Sequence, residues 1–187
     1  MEVYIIRHTP VAVGKDTCYG QTNVPLSGTF LQDVERIKSQ LPTEFDAVYC
    51  SPLQRCSELA AALSFKNNIN EKALMEMNFG DWENTKWNDI NAIELDRWMN
   101  DFVNESTPNG ESLQALYERS KTFFDDLRSL SHHKVLLITH AGVIRCLWAY
   151  LLAIPLQNIF KIPVGYNEVF VINLTKNAIT DAIKQTK

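Results

Sequence analysis

The chain has 187 residues, 45% hydrophobic and 21% charged, enough to bury a full core as one domain with room for a small subdomain. Its formal net charge of −4 argues against a surface built for nucleic acid or an anionic membrane, since both need a basic excess. The opening MEVYIIRHTP sets Glu2 and Arg7 around a short apolar run, too short for a secretory signal or a bilayer span, so a cytoplasmic setting is expected.

In chain order, residues 3–6 (VYII) read as a short strand that runs into Arg7-His8. Residues 11–26 are polar and turn-rich, and Ser27 offers an N-cap for a helix to about residue 41, which Pro42 ends. Residues 47–50 (AVYC) form a second strand. Ser51-Pro52 then predicts a helix to about residue 65, with Ser as cap and Pro in the first turn.

Residues 69–74 lead into a loop, MEMNFGDWEN. A helical segment is expected over 85–102, broken by STPNG at 106–110. Residues 111–130 carry Leu113, Leu116, Phe123, Phe124 and Leu127 near helical spacing, and His132-His133 are expected to cap that helix at its C-terminal end. The run VLLIT at 135–139 is apolar on both faces, as in a buried parallel strand, and AGVIRCLWAYLLAI forms a helix that Pro155 closes. Residues 168–174 and 179–183, around Lys176-Asn177, predict a hairpin.

Strands alternating with helices imply an α/β sandwich with a mainly parallel sheet, as a single domain over residues 1–187 with a helical lid near 80–110. Ligands of such sheets bind beyond the carboxyl ends of the strands. That rule brings Arg7-His8, the 51–55 segment and His140 to one edge.

Cys18, Cys50, Cys56 and Cys146 show neither CxxC spacing nor a paired framework, and they read as reduced thiols. CSPLQR resembles a cysteine-phosphatase loop but is one residue too short between Cys50 and Arg55 to close around a phosphate in the same way, so Cys50 is not expected to be a nucleophile. No stretch has metal-ligand spacing, and no cofactor is expected.

A phosphate monoester fits that edge chemically. Arg7 and Arg55 are five-donor forks suited to phosphate oxygens, and helix N-termini after the strands favour anions. An unprotonated imidazole in line with the leaving oxygen can attack phosphorus, and His8 and His140 are the two candidates. Arg7 beside His8 disfavours the imidazolium, which points to His8 as nucleophile and leaves His140 as a donor to the equatorial oxygens. Glu76, in the MEMNFG loop, could protonate the leaving alkoxide and then deprotonate the attacking water; a dianionic phosphate alongside favours its protonated form. Glu83 in DWEN competes for that role, with a solvated loop carboxylate as the plainer reading.

Strand-RHT, SPLQR, E-x-x-F-G-D-W-E and THAGVIR, in that order over residues 3–145, resemble the histidine phosphatase superfamily, which includes acid phosphatases and phosphoglycerate mutases. The resemblance implies His8 as the phosphorylated nucleophile, Glu76 as the proton donor, Arg7, Arg55 and His140 as the phosphate pocket, a six-stranded sheet, and no metal. RHT followed by CYGQTNVPL and NFGDWE is most similar to the alpha-ribazole phosphatases of cobalamin nucleotide-loop assembly, which by the same resemblance puts Gly20 and Gln21 near the substrate phosphate. Mutases of the family carry Gly-Glu and an Asn where this chain has Thr9-Pro10 and Gly14, which argues against mutase activity. Asn23 and Asn84 also depart from the family's usual Asp and Gly.

The partner implied is a small phosphate monoester, with neither nucleic acid nor membrane, and the oligomeric state stays open, a homodimer included. A broad sugar-phosphate or nucleotide phosphatase is the nearest alternative, and a non-catalytic phosphate-binding module a more distant one. Arg145, one turn into its helix, is expected in a structural salt bridge. Trp82, Trp87, Trp98 and Phe102 are expected mainly as subdomain core, with stacking on a substrate base as the alternative. The turn at 109–112 (NGES) resembles the family's GES turn, though a plain helix start explains it nearly as well.

Overall fold

Short β-rich runs alternate with amphipathic ones along the sequence, and the chain folds accordingly in this computed structural model, which describes residues 1–186. The elements are β1 (Glu2–Arg7), α1 (Phe30–Lys38), β2 (Ala47–Cys50), α2 (Gln54–Leu63), β3 (Asn68–Asn70), α3 (Ala92–Asn100), α4 (Leu113–Ser129), β4 (Lys134–Thr139), α5 (Ala141–Leu152), β5 (Val169–Asn173) and β6 (Ala182–Thr186). The strands form one six-stranded sheet in the order β3-β2-β4-β1-β5-β6. The first four run parallel, and β5 and β6 close the sheet antiparallel as the expected hairpin.

Period-two alternation decides which helices cover which face. Val3, Ile5, Val135 and Leu137 join a core with α4 and α5, while Ile6, Val48, Leu136 and Ile138 join a second core with α1 and α2. The sheet is therefore apolar on both sides and flanked by helices. Each fully buried Leu or Ile there contributes about 1.5–3 kcal/mol. No helix among the described residues is long and apolar enough to cross a membrane.

Several boundaries differ from the sequence reading for local reasons. α1 starts at Phe30 because Ser27 closes a turn instead of capping, its hydroxyl accepting from the Thr29 N–H at 3.3 Å. α2 starts at Gln54, with Leu53 at the cap position and no side-chain cap. The 85–102 segment is not one helix: short 3-10 turns at Gly80–Trp82 and Trp87–Asp89 precede α3, whose Asn91 side chain accepts from the Ile93 and Glu94 N–H groups. Ser112 caps α4, accepting from Ala115 N–H at 3.2 Å. His132 and His133 lie past the C-cap Leu130; His132 Nε2 instead meets the Tyr49 hydroxyl at 3.4 Å.

Candidate active site

β1 and β4 run in one-to-one register, with Arg7 opposite Thr139, so the residues that follow, His8 and His140, emerge side by side. Their ring centroids are 5.2 Å apart. Both are buried, at 2% and 0% exposure. His8 Nδ1 lies 2.7 Å from the Thr9 carbonyl oxygen. A carbonyl can only accept, so Nδ1 carries the proton and Nε2 keeps its lone pair. Burial first, then the charge of Arg55, pushes the His8 pKa down to about 3; the Arg7 charge contributes least. The neutral imidazole expected from sequence is thus due mainly to desolvation and to Arg55, not to the adjacent Arg7.

Arg55, 1% exposed, stands at the start of α2 and holds three partners. Its Nε donates to His140 Nδ1 at 3.2 Å, Nη1 donates to the Thr22 carbonyl at 3.1 Å, and Nη2 donates to the Gly20 carbonyl. Because Nδ1 of His140 accepts, its Nε2 carries the proton and donates to Ser51 Oγ at 2.8 Å. Ser51 therefore serves His140 more than a helix cap; its contact with Leu53 N–H is a longer 3.4 Å. Burial and then Arg55 also hold His140 well below the ordinary imidazole range. For His140 to donate to a phosphoryl oxygen, the Ser51 hydrogen bond has to be exchanged.

Arg7 is aimed by a segment near the other end of the chain. Its Nη1 donates to the Val164 carbonyl at 3.0 Å and Nη2 to the Tyr166 hydroxyl at 2.9 Å, with the guanidinium carbon 3.8 Å from the Tyr166 ring centroid. That ring also stands 5.8 Å from His8. Arg7 Nε and Thr9 Oγ1 are buried without a hydrogen-bond partner among the described residues. These are unpaired donors on the two residues that flank His8 in sequence, and such buried orphans are uncommon outside functional sites.

Glu76 reaches the first turn of α5. Its Oε2 accepts from Gly142 N–H at 3.1 Å and its Oε1 from Met77 N–H at 3.0 Å. The loop carrying it is clamped by Arg119 of α4, which donates to the Ala73 and Glu76 carbonyls at 2.7 and 3.0 Å and pairs with Glu111 at 2.9 Å. Glu111 in turn accepts from Asn78 N–H at 2.9 Å, so the 109–112 turn braces the Glu76 loop.

Glu83 is occupied elsewhere. It accepts from the N–H groups of Gly20, Gln21, Thr22 and Phe79 at 2.9, 2.8, 3.1 and 3.1 Å. Burial pushes its pKa up, but these hydrogen bonds outweigh burial and leave it lowered. Gly20 and Gln21 therefore enter the site as backbone: Gly20 presents its carbonyl to Arg55, and Gln21 spends its side-chain amide on the Glu76 carbonyl at 3.0 Å. Only glycine fits at 20, since a Cβ would lie 1.9 Å from the Met77 carbonyl oxygen.

Beside Glu76 a cavity of about 130 Å³ is walled by Tyr19, Phe79, Trp98, Phe102 and Phe160, with Arg145 at its edge. Trp82 and Trp98 are buried, 5.7 Å apart edge to face, so the tryptophans build a local core, of which Trp98 also lines this cavity. Arg145 makes no salt bridge among the described residues, contrary to expectation; its Nε donates to the Ile162 carbonyl at 3.0 Å.

The Cys50 thiol is pushed up to about 12 by burial and donates to the Ser51 carbonyl at 3.2 Å. It has no nucleophilic character at neutral pH. Among the described residues no group of three or more His, Cys, Asp or Glu side chains could hold a metal ion.

Comparison with known proteins adds the following. A family model, the histidine phosphatase superfamily (branch 1), matches residues 3–181. The adenosylcobalamin/alpha-ribazole phosphatase of Escherichia coli (strain K12) is 28% identical over 166 residues, 84% of this chain and 82% of that protein. A putative phosphoserine phosphatase 2 of Hydrogenobacter thermophilus is 24% identical over 168 residues, 86% and 83% of the two chains. The crystal structure of the alpha-ribazole phosphatase from Shigella flexneri aligns with a TM-score of 0.89 at 25% identity, over 98% of this chain and 95% of that one.

Proposed function

This chain belongs to the histidine phosphatase superfamily, and from that premise we propose that it hydrolyses phosphate monoesters through a phosphohistidine on His8, with alpha-ribazole 5′-phosphate as its substrate. Family and relatives support a phosphatase; the choice of alcohol rests on the alpha-ribazole phosphatases it resembles.

The observation that carries the mechanism is the state of His8. Its Nδ1–H is tied to a carbonyl and its pKa is held near 3, so Nε2 is an unprotonated nucleophile at neutral pH. The substrate phosphate lies between Arg7 and Arg55, whose charges offset the dianion without a metal. Nε2 attacks phosphorus, a P–N bond forms, the P–O ester bond breaks, and Glu76 gives its proton to the departing alkoxide oxygen. The Glu76 carboxylate then takes a proton from water as that water attacks phosphorus. The P–N bond breaks, inorganic phosphate leaves and His8 returns to its starting form. Thr9-Pro10, in place of the mutases' Gly-Glu, favours water over a second sugar hydroxyl as acceptor.

A substrate panel tests the reading: kcat/KM for alpha-ribazole 5′-phosphate against phosphoserine, sugar phosphates and nucleoside monophosphates, with a chelator present throughout. A preference of about tenfold or more for alpha-ribazole phosphate is expected. Equal rates across the panel would defeat the substrate assignment and leave a broad phosphatase. His8→Ala is expected to lose several orders of magnitude on p-nitrophenyl phosphate while staying folded, and parent-like turnover would defeat the mechanism.

A further inference from the structure

Resting on the phosphatase reading above, we infer that Arg145 and the aromatic cavity beside Glu76 form the subsite for the alcohol half of the ester, and that this half is a planar ring with an uncharged hydrogen-bond acceptor on its edge. The cavity, about 130 Å³ and open on one side, admits one aromatic ring inside with a fused second ring at its mouth. Its walls include Phe79, Trp98, Phe102 and Phe160, and such walls favour a flat apolar body over an aliphatic one. Phe160 lies 5.2 Å from Phe102 and is 61% exposed, a large apolar side chain that a bound ring would cover.

The acceptor follows from Arg145. Its Nε is used by the Ile162 carbonyl, but its Nη groups have no hydrogen-bond partner and no ion pair among the described residues. The guanidinium carbon sits 5.9 Å from the Phe160 ring centroid, so a half-buried cation stands at the edge of an aromatic chamber. A ligand that covers this fork without accepting its hydrogen bonds would leave the donors unpaired, so a ligand seated here carries an acceptor. A donor fork lining an apolar chamber calls for an acceptor on the ligand. Glu76 lines the same chamber and becomes a carboxylate as the leaving oxygen takes its proton, so an anionic group on the alcohol would oppose that step, which leaves a neutral ring nitrogen or carbonyl.

The test compares 2-naphthyl phosphate with 6-quinolinyl phosphate, bicyclic esters of the same shape that differ by one ring nitrogen, on the parent enzyme, Arg145→Met and Arg145→Lys. The parent is expected to favour the quinolinyl ester, and Arg145→Met to lower its kcat/KM about tenfold more than that of the naphthyl ester, Lys recovering part of the difference. Equal losses on the two esters, or no parent preference, would overturn the acceptor contact, because a merely structural Arg145 moves both alike. Should Arg145→Met not fold, Arg145→Lys and Phe160→Ala carry the test. Phe160→Ala is expected to raise KM for both bicyclic esters but not for phosphoserine, and an unchanged bicyclic KM would overturn the ring placement. Alpha-ribazole 5′-phosphate is measured alongside. A ring-nitrogen effect that depends on Arg145, with no preference for that substrate, removes the substrate assignment and keeps the subsite. A strong preference for alpha-ribazole phosphate with an Arg145-independent ratio does the reverse.

Discussion

The Glu76 carboxylate accepts a hydrogen bond from the Gly142 N–H, 3.1 Å away, so the position of the proposed acid is set by the first turn of the helix that follows His140. A Cβ at 142 would stand 2.2 Å from Glu76 Oε1. Gly142→Ala must therefore push the carboxylate aside. Glu76→Gln is expected to slow alkyl phosphates by about 10²–10⁴-fold, and p-nitrophenyl phosphate much less, since an activated leaving group needs little protonation. Gly142→Ala is expected to show the same leaving-group dependence with Glu76 still present. Equal losses on alkyl and aryl esters in both variants would remove Glu76 from the acid role.

Arg55 joins the loop carbonyls of Gly20 and Thr22 to His140. Lysine keeps the charge but cannot reproduce a fork with three partners. Arg55→Lys is expected to weaken inhibition by inorganic phosphate or vanadate by roughly tenfold or more and to lower the melting temperature, because buried acceptors are left unpaired. An unchanged inhibition constant would place the phosphate elsewhere.

Acid should destabilise this fold before most carboxylates titrate. His8, held near 3, and His140, held well below its ordinary value, stay neutral in the folded chain, whereas an unfolded imidazole takes a proton near pH 6.5. Between about pH 6.5 and 3 the unfolded chain binds more protons, so stability falls as pH drops through that window, by about 1.4 kcal/mol per pH unit for each such imidazole. Urea unfolding at pH 7.5, 6 and 5 should show midpoints that decline below pH 6.5, with a shallower decline in His8→Asn. A midpoint constant from pH 7.5 to 5 would contradict this.

Glu83 should behave as a staple rather than an acid. Its four backbone N–H partners tie residues 20–22 to the loop at 79–83. Its folded pKa is lowered from 4.5, so the stability it lends is present above pH about 4.5 and lost as pH falls through the folded value. Glu83→Ala is expected to lower stability and slow alkyl and aryl phosphates by similar factors. A loss confined to alkyl esters would return Glu83 to the acid role.

The sheet and the clustering of its strand ends were legible because both depend on local pattern. VYII and VLLIT are apolar runs that end in chemically distinctive residues, and parallel pairing brings such ends together. Partnerships across long sequence separation were not legible. Tyr166 aims Arg7 from 159 residues away, and nothing in GYNEVF announces that role. Arg119 looks like any cation on an amphipathic helix until the Glu76 loop is laid against it. Ser51 was misread for a different reason: Ser-Pro is a good helix start, but the buried His140 N–H competes for the same hydroxyl and wins. A cation one turn into a helix reads as one end of a structural salt bridge, and for Arg145 none forms among the described residues.

The one-to-one register of β1 and β4 separates two kinds of freedom in this molecule. The imidazole pair is fixed by strand pairing at the sheet's centre, where a one-residue slip would turn every side chain to the wrong face. The chamber beside it takes Trp98, Phe102 and Phe160, part of its aromatic wall, from segments that contribute no strand. Those side chains can be varied while the strand ends and the Glu83 staple that holds residues 20–22 stay where they are. The scaffold is thus a phosphoryl-transfer head with an interchangeable grip, and new alcohols are best sought by grafting the grip alone.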